Sequence, residues 1–443
     1  MFSDLPAPPL PAELFRARRE RMLEQIPCGV VLLGAGPEMV RGRDGETANR
    51  PDSDFYYLTG VTEPGTVVLL TPHDPDHRFT LFVRPRDVER ERWSGPRAGV
   101  EGARDLHSAD AAYPIEELDS RLPALLEPAE EIVCALGRDP EMDARILRLL
   151  AGFRRTRPRI GRGPLVLRDV ELVLAGMRMI KSPEEVECIR RAAQITVEGH
   201  LAAMRAAAPG VGEWALEAAA EHAFRAAGAT GPAFPTIAGS GANATVLHYS
   251  ANSRRMRDGE LVLLDAGAEW GMYAGDVSRT LPVSGRFSGP QRALYEVVLA
   301  AEEVAIATVR PGATAAAPHD AAVRALTDGM VRLGLLAGEV DDLIASEAYR
   351  RFYMHRTSHW LGLDVHDAGW YVREREPVPL VPGMVLTIEP GIYVAADAEG
   401  VPDELRGVGI RIEDDVLVTE SGSEILTREV PVDPDEVERL MGQ

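Results

Sequence analysis

LVLLDAGAEWGMYAGDVSRTLPV, Leu261 to Val283, decides how the second half of this chain folds. LVLLD is a short apolar run closed by an acid, and YAGDVSRTLPV resumes a strand-like pattern after a glycine-rich connection. The two runs therefore read as neighbouring strands. The acids are the anomaly. Asp265 ends the first apolar run, and Asp276 sits eleven residues later in the second. A buried strand end is a costly place for an unpaired carboxylate. Two of them on adjacent strands repel each other unless a cation lies between them.

The pattern recurs downstream. GMVLTIEPGIYV places Glu389 at the end of an apolar run, and GVGIRIEDDVLVTE places Glu413 in another. Side chains alternate along a strand, so Ile410 and Ile412 face one way and Arg411 and Glu413 the other. MHRTSHWLGLDVHD, Met354 to Asp367, supplies His355, His359 and His366, three of the chain's ten histidines. Four carboxylates and the His359 imidazole make a hard, oxygen-rich donor set. Two divalent ions would balance the four negative charges and would suit a pair of ions about 3.5–4 Å apart sharing a water. Such donors favour Mn, Co or Zn over a thiolate-seeking metal, and Mn is the expected ion.

Upstream of the strands, Ser182, Pro183 and Glu185 form a capping box for a helix that runs to Pro209-Gly210. A second helix, GEWALEAAAEHAFRAAG, stops at Gly228. His200 and His222 lie on these helices without partners at ligand spacing and read as surface or satisfied core histidines. Two further helices are expected around Gln291–Val309 and Ala317–Leu335, between the strand runs. The C-terminal part is thus α+β, with a mixed or antiparallel sheet covered by helices. Before it, VVLLG, TVVLLT and FTLFV alternate with helical stretches in an α/β pattern. The boundary falls near residue 175, giving domains 1–175 and 176–443. GAG at Gly34–Gly36 lacks the third glycine and the ribose-binding acid of a dinucleotide loop and reads as a turn.

Composition narrows the function. A chain of 443 residues is long for one core. A net charge of -21 opposes nucleic-acid binding. No apolar run reaches the roughly 18 residues of a membrane span. The N-terminus carries Asp4 before a basic helical stretch, the wrong order for a secretory signal. Cys28, Cys134 and Cys188 are scattered and odd in number, which argues against a disulfide framework. The expectation is a cytoplasmic protein.

HYSANSRRMRDGELVLLDAGAEWGMYAGDVSRT, MHRTSHWLGLDVHD, VPGMVLTIEPGIYV and RGVGIRIEDDVLVTE together resemble the pita-bread dinuclear metallopeptidases, in particular the Xaa-Pro aminopeptidase (aminopeptidase P) family. The resemblance runs through most of Lys181–Glu420 and continues more thinly at DSDFYYLTGVTEPG and RERWSGPRAG. It implies a pita-bread catalytic domain preceded by a smaller creatinase-like α/β domain. It implies Asp265, Asp276, His359, Glu389 and Glu413 as ligands of two divalent ions, with Asp276 and Glu413 bridging. The activity it implies is release of the N-terminal residue from peptides with proline at position two, by hydroxide held between the ions. By the same resemblance His248, His355 and His366 are outer histidines, and His248 and His366 touch substrate. Glu389 carries a proton to the leaving proline nitrogen, and Arg411 supports the ligands beside Glu413. Tyr393 and Trp93 are expected at the substrate, with Tyr371 and Arg375 as further matched positions. Trp93 lies in an arginine-rich loop and either packs on its own domain or reaches a neighbouring subunit of a homodimer or homotetramer. The segment between Glu389 and Glu413 is expected at the surface. Arg356-Thr357 stands where many relatives have Gly-Leu or Gly-Thr. A prolidase restricted to dipeptides shares the ligand set. A non-catalytic binding protein on the same fold is disfavoured by the complete set of five ligands.

Overall fold

The computed structural model describes residues 9–38, 40–41, 45–46 and 49–442; Asp4 lies outside them. The chain divides into two compact units, Met1–Met177 and Arg178–Gln443.

In the first unit a six-stranded mixed sheet forms from the apolar runs. Its spatial order is 111–114, 79–83, 67–70, 29–34, 131–134 and 166–169. Gly29–Gly34 pairs antiparallel with Val67–Leu70 and parallel with Glu131–Cys134. Val30, Leu32, Leu69 and Ile132 are buried against Leu122 and Ile146 of the helices Leu118–Leu126 and Pro140–Ile160. Gly34 ends the first strand and residues 35–38 open no helix, so the dinucleotide reading has no structural basis.

One feature of this unit departs from expectation. Trp93 sits on a helix, Val88–Ser94, capped by Asp87, whose side chain accepts hydrogen bonds from the Glu89 and Arg90 amides. It is also 92% exposed, so it does not pack on its own domain. The cap and the acidic first turn stabilise a helix of about two turns in a segment whose charge density suggested a loop.

The second unit builds two layers. Helix Pro183–Ala206 starts with the expected capping box and ends at Ala206, three residues before Pro209. Glu213–Ala226 packs beside it. His200 is fully buried, with Nε2 at 3.1 Å from the Ala266 carbonyl, whereas His222 is exposed. Helices Gly289–Ile306 and Ala316–Arg332 form the other pair. Every strand pairing described in this unit is antiparallel. Leu261–Ala266 lies between Ile237–Ser240 and Val277–Pro282. Val385–Ile388 pairs with Asp414–Val418, and Gly391–Val394 pairs with Val408–Arg411. An isolated bridge, Ser278 to Glu413, joins the first of these sheets to the C-terminal strands. The segment between Glu389 and Glu413 is therefore not simply surface. Ile392 and Ile410 are fully buried in its hairpin, and the exposed part is confined to the connection between the strands. Among the described residues, no helix is long and apolar enough to cross a membrane.

Candidate metal centre

Each acid singled out by sequence stands at or beside a break in a strand. Asp265 faces Ser278 in register, and Asp276 immediately precedes Val277–Pro282. The connection between them folds back tightly. A Cβ on Gly267 would lie 1.7 Å from the Gly275 carbonyl oxygen, so only glycine permits that approach. Glu389 follows Val385–Ile388, its amide donating to the Thr357 carbonyl at 2.8 Å, and Pro390 ends the ladder. Glu413 lies between Val408–Arg411 and Asp414–Val418, where the chain leaves one sheet for another. His359 arrives from a separate loop. Its amide donates to Thr387 Oγ1 at 3.1 Å, and its carbonyl accepts from the Thr387 amide at 3.0 Å.

These elements bring Asp276, His359 and Glu413 together, with one donor atom of each within 4.8 Å of the others. His359 Nε2 is 3.3 Å from Asp276 Oδ2 and 3.6 Å from Glu389 Oε1. Its Nδ1 lies 3.1 Å from the Trp360 carbonyl, which assigns the proton to Nδ1 and turns the Nε2 lone pair toward the two carboxylates. Asp265 accepts a hydrogen bond from Arg411 Nη2 through Oδ2, while its buried Oδ1 accepts none. Glu413 Oε2 accepts from Ser278 Oγ at 2.7 Å.

The electrostatics follow from this crowding. Burial, then Glu413 and Asp265, holds the Asp276 carboxyl well above the usual carboxylate range. Burial and Glu413 do the same to Glu389. Burial and Asp265 push Glu413 up to about 7. Lone pairs and like charges converging on one buried point are the chemistry of a cation site, and an all-oxygen set completed by one imidazole fits divalent ions. The five residues thus fit the metal that the donor pattern calls for.

A chain of hydrogen bonds backs the acids. Arg411 donates through Nε to Ser278 Oγ at 2.8 Å and through Nη1 to Tyr393 Oη at 3.0 Å. Tyr393 in turn donates to His355 Nε2 at 2.9 Å, since His355 Nδ1 is held by the Arg356 carbonyl at 2.8 Å. His355 Nδ1 is also 3.5 Å from Glu389 Oε2. Burial, then Arg411, pushes His355 down to about 3, so the ring is neutral. Tyr393 corrects an expectation: it is 2% exposed, lies behind the wall, and its hydroxyl is taken up by Arg411 and His355 rather than offered to substrate.

The centre opens into a cavity of about 920 Å³ lined wholly by the second unit. His248 and His366 lie on its wall, exposed, and the His366 ring sits 4.2 Å from that of His359. Tyr371 also lines it and accepts the Trp360 amide at 3.1 Å; Arg375 is exposed and is not among the lining residues.

Sequence reading missed several residues of the site. Asp415 Oδ2 accepts the Asp276 amide at 3.1 Å, and burial followed by Asp276 raises its carboxyl well above the ordinary range. Asp414, by contrast, faces the fully buried Arg279 at 2.9 Å. His319, from the Ala316–Arg332 helix, lines the cavity with Nδ1 at 2.9 Å from Thr357 Oγ1. Alternation from Glu413 points to Asp415, and alternation from Asp276 points to Ser278. Nothing local marks His319.

Comparison with known proteins agrees with this geometry. Residues 187–420 match the model of metallopeptidase family M24, and residues 15–134 match that of the aminopeptidase P N-terminal domain. The chain is 43% identical over 429 residues to Xaa-Pro aminopeptidase of Escherichia coli, covering 96% of this chain and 97% of that protein. The structure of an aminopeptidase from Pseudomonas aeruginosa superposes with a TM-score of 0.94 at 44% identity, covering 98% of both chains. Zinc-substituted Escherichia coli aminopeptidase P in complex with product gives a TM-score of 0.93 at 43% identity, again over 98% of both chains.

Proposed function

The chain belongs to metallopeptidase family M24, and from that premise we propose that it is an Xaa-Pro aminopeptidase, releasing the first residue of peptides whose second residue is proline. The observation that carries this reading is the convergence of Asp276, His359 and Glu413 with their lone pairs on one buried point, flanked by Asp265 and Glu389. These five residues would hold two divalent ions, Mn in preference to Co or Zn. When bound, the ions neutralise the carboxylates, lower the pKa of water toward about 7 and polarise a carbonyl.

The rest is work for the protein's own groups. Glu389 lies beside both His359 and His355 and moves a proton to the leaving proline nitrogen, a poor leaving group until protonated. His248, exposed on the cavity wall, donates to the oxygen of the scissile carbonyl as it gains charge. His366 contacts that carbonyl or the chain beyond proline. Asp265 lies nearest the free amino terminus of the substrate, and Arg411 fixes its position. Trp93, an exposed aromatic on a short helix, is suited to a contact with a neighbouring subunit in a homodimer or homotetramer and to the rim of that subunit's site. Three scattered cysteines, Cys28, Cys134 and Cys188, form no disulfide, in keeping with a cytoplasmic setting.

The test is a substrate panel on metal-loaded protein. Arg-Pro-Pro and longer Xaa-Pro peptides should lose their first residue, and replacing the second-position proline by alanine should remove most of the rate. Cleavage of Gly-Pro with no action on tripeptides would instead assign a prolidase.

A further inference from the structure

One cation on the cavity wall is not used by the metal centre. Arg356 lines the cavity and is exposed, and its guanidinium pairs with no described residue. Arg411, the other arginine there, is committed to Asp265, Ser278 and Tyr393. His319 Nδ1 lies 2.9 Å from Thr357 Oγ1, the residue next to Arg356, and burial, then the Arg356 charge, hold the imidazole below its ordinary pKa. The same cavity is also lined by the apolar Ala315, Ala316, Val372 and Pro377. An apolar surface rimmed by one free guanidinium suits a side chain with a short methylene stem and a terminal carboxylate.

Position along the substrate follows from the hydrogen-bonded wall. Asp265, Arg411, His355 and Arg356 all line the same cavity, and Tyr393, behind the wall, joins Arg411 to His355, whose Nδ1 is held by the Arg356 carbonyl. An ammonium anchored near Asp265 therefore sends the side chain of the first residue along this wall. His248 and His366 stand by the scissile carbonyl and the chain beyond it. We propose that Arg356 is a specificity residue that favours peptides whose first residue is acidic, glutamate before aspartate. The inference rests on the aminopeptidase reading above. Its need is physical: a chain of net charge -21 repels anionic peptides at long range, and a local cation offsets that repulsion where the side chain docks.

The experiment measures kcat/KM of metal-loaded full-length enzyme on Glu-Pro-Pro and Gln-Pro-Pro, for wild type, Arg356→Ala and Arg356→Glu, at low and high salt. The Glu/Gln ratio should fall about 2- to 5-fold in Arg356→Ala, the range of a solvent-screened charge pair. It should fall further in Arg356→Glu, which should gain on Lys-Pro-Pro. These differences should shrink as ionic strength rises. A ratio equal in all three proteins overturns the proposal. So does a charge effect confined to the third position, seen with Gln-Pro-Glu against Gln-Pro-Gln. Wild type that cleaves neither peptide fails the aminopeptidase reading itself; cleavage of Gln-Pro-Pro with an unaltered ratio fails only the role of Arg356.

Discussion

Removing the metal should make stability depend on pH in a way the loaded protein does not share. Glu413 is the group to follow, because its carboxyl is pushed from its ordinary 4.5 up to about 7 by burial and Asp265. In the metal-free protein it is protonated in both folded and unfolded states below about pH 4.5. As the pH rises toward 7 the unfolded chain ionises while the folded one still holds its proton. Stability is therefore present at low pH and is lost as the pH rises through the folded value. The loss from Glu413 alone is roughly 3 kcal/mol, complete a little above pH 7. Asp276 and Glu389, also raised, extend the loss to higher pH. Buried His355 (about 3) and His200 (about 4) act in the opposite sense, adding stability as the pH rises toward 6.5. They do so in both forms and cancel in the difference. With ions bound the carboxylates are ionised throughout. The gap in unfolding free energy between Mn-loaded and chelated protein should therefore widen by roughly 3 kcal/mol or more from pH 5 to 7.5. Urea unfolding at fixed metal excess measures it. A gap that stays constant or narrows refutes the reasoning that these acids are crowded around a cation site.

The remaining predictions concern single residues. His359→Ala should lower metal content and activity together, whereas His366→Ala should keep its metal and lose turnover by on the order of 10²-fold, read by elemental analysis and kinetics on one sample. Asp367, with its side chain 1% exposed between Arg178 Nη2 at 2.5 Å and Lys181 Nζ at 3.0 Å, should cost about 3–5 kcal/mol as Asp367→Asn, because buried Lys181 loses its counter-charge and buried Arg178 keeps only the more exposed Asp364; denaturant midpoints report it. Trp93→Ala should leave metal content unchanged yet raise KM for tripeptides and longer peptides more than for dipeptides, and shift the assembly to smaller species by sizing.

Much of this was legible because the functional acids break strand rules. Asp265, Asp276, Glu389 and Glu413 stand out as carboxylates at the ends of runs that must be buried, and an energetic anomaly of that kind is visible without a fold. The pairing of the strands was not legible. A period of two runs unbroken through Arg411, Glu413 and Asp415, yet the chain changes sheets at Ile412–Glu413. That change depends on the distant bridge to Ser278. The same alternation, followed one step further, finds Asp415 and places Asp414 on the opposite face against Arg279. Tyr393 was misplaced because a tyrosine near a site looks the same in sequence whether its hydroxyl meets substrate or, as here, Arg411 and His355. His319 reaches the cavity through helix packing alone. The helical setting of Trp93 rests on an Asp cap inside a highly charged segment, where charge density obscured the start signal.

The central claim is that Asp265, Asp276, His359, Glu389 and Glu413 hold two divalent ions on which Xaa-Pro cleavage depends. The most direct measurement is a titration of Mn into chelated protein, with bound metal and Arg-Pro-Pro turnover followed on the same sample. The account predicts that turnover starts near zero and levels off when close to two ions are bound per chain, at a rate above that restored by Mg, which holds its waters more tightly. Full turnover with no bound metal, or a plateau unrelated to metal occupancy, would contradict it.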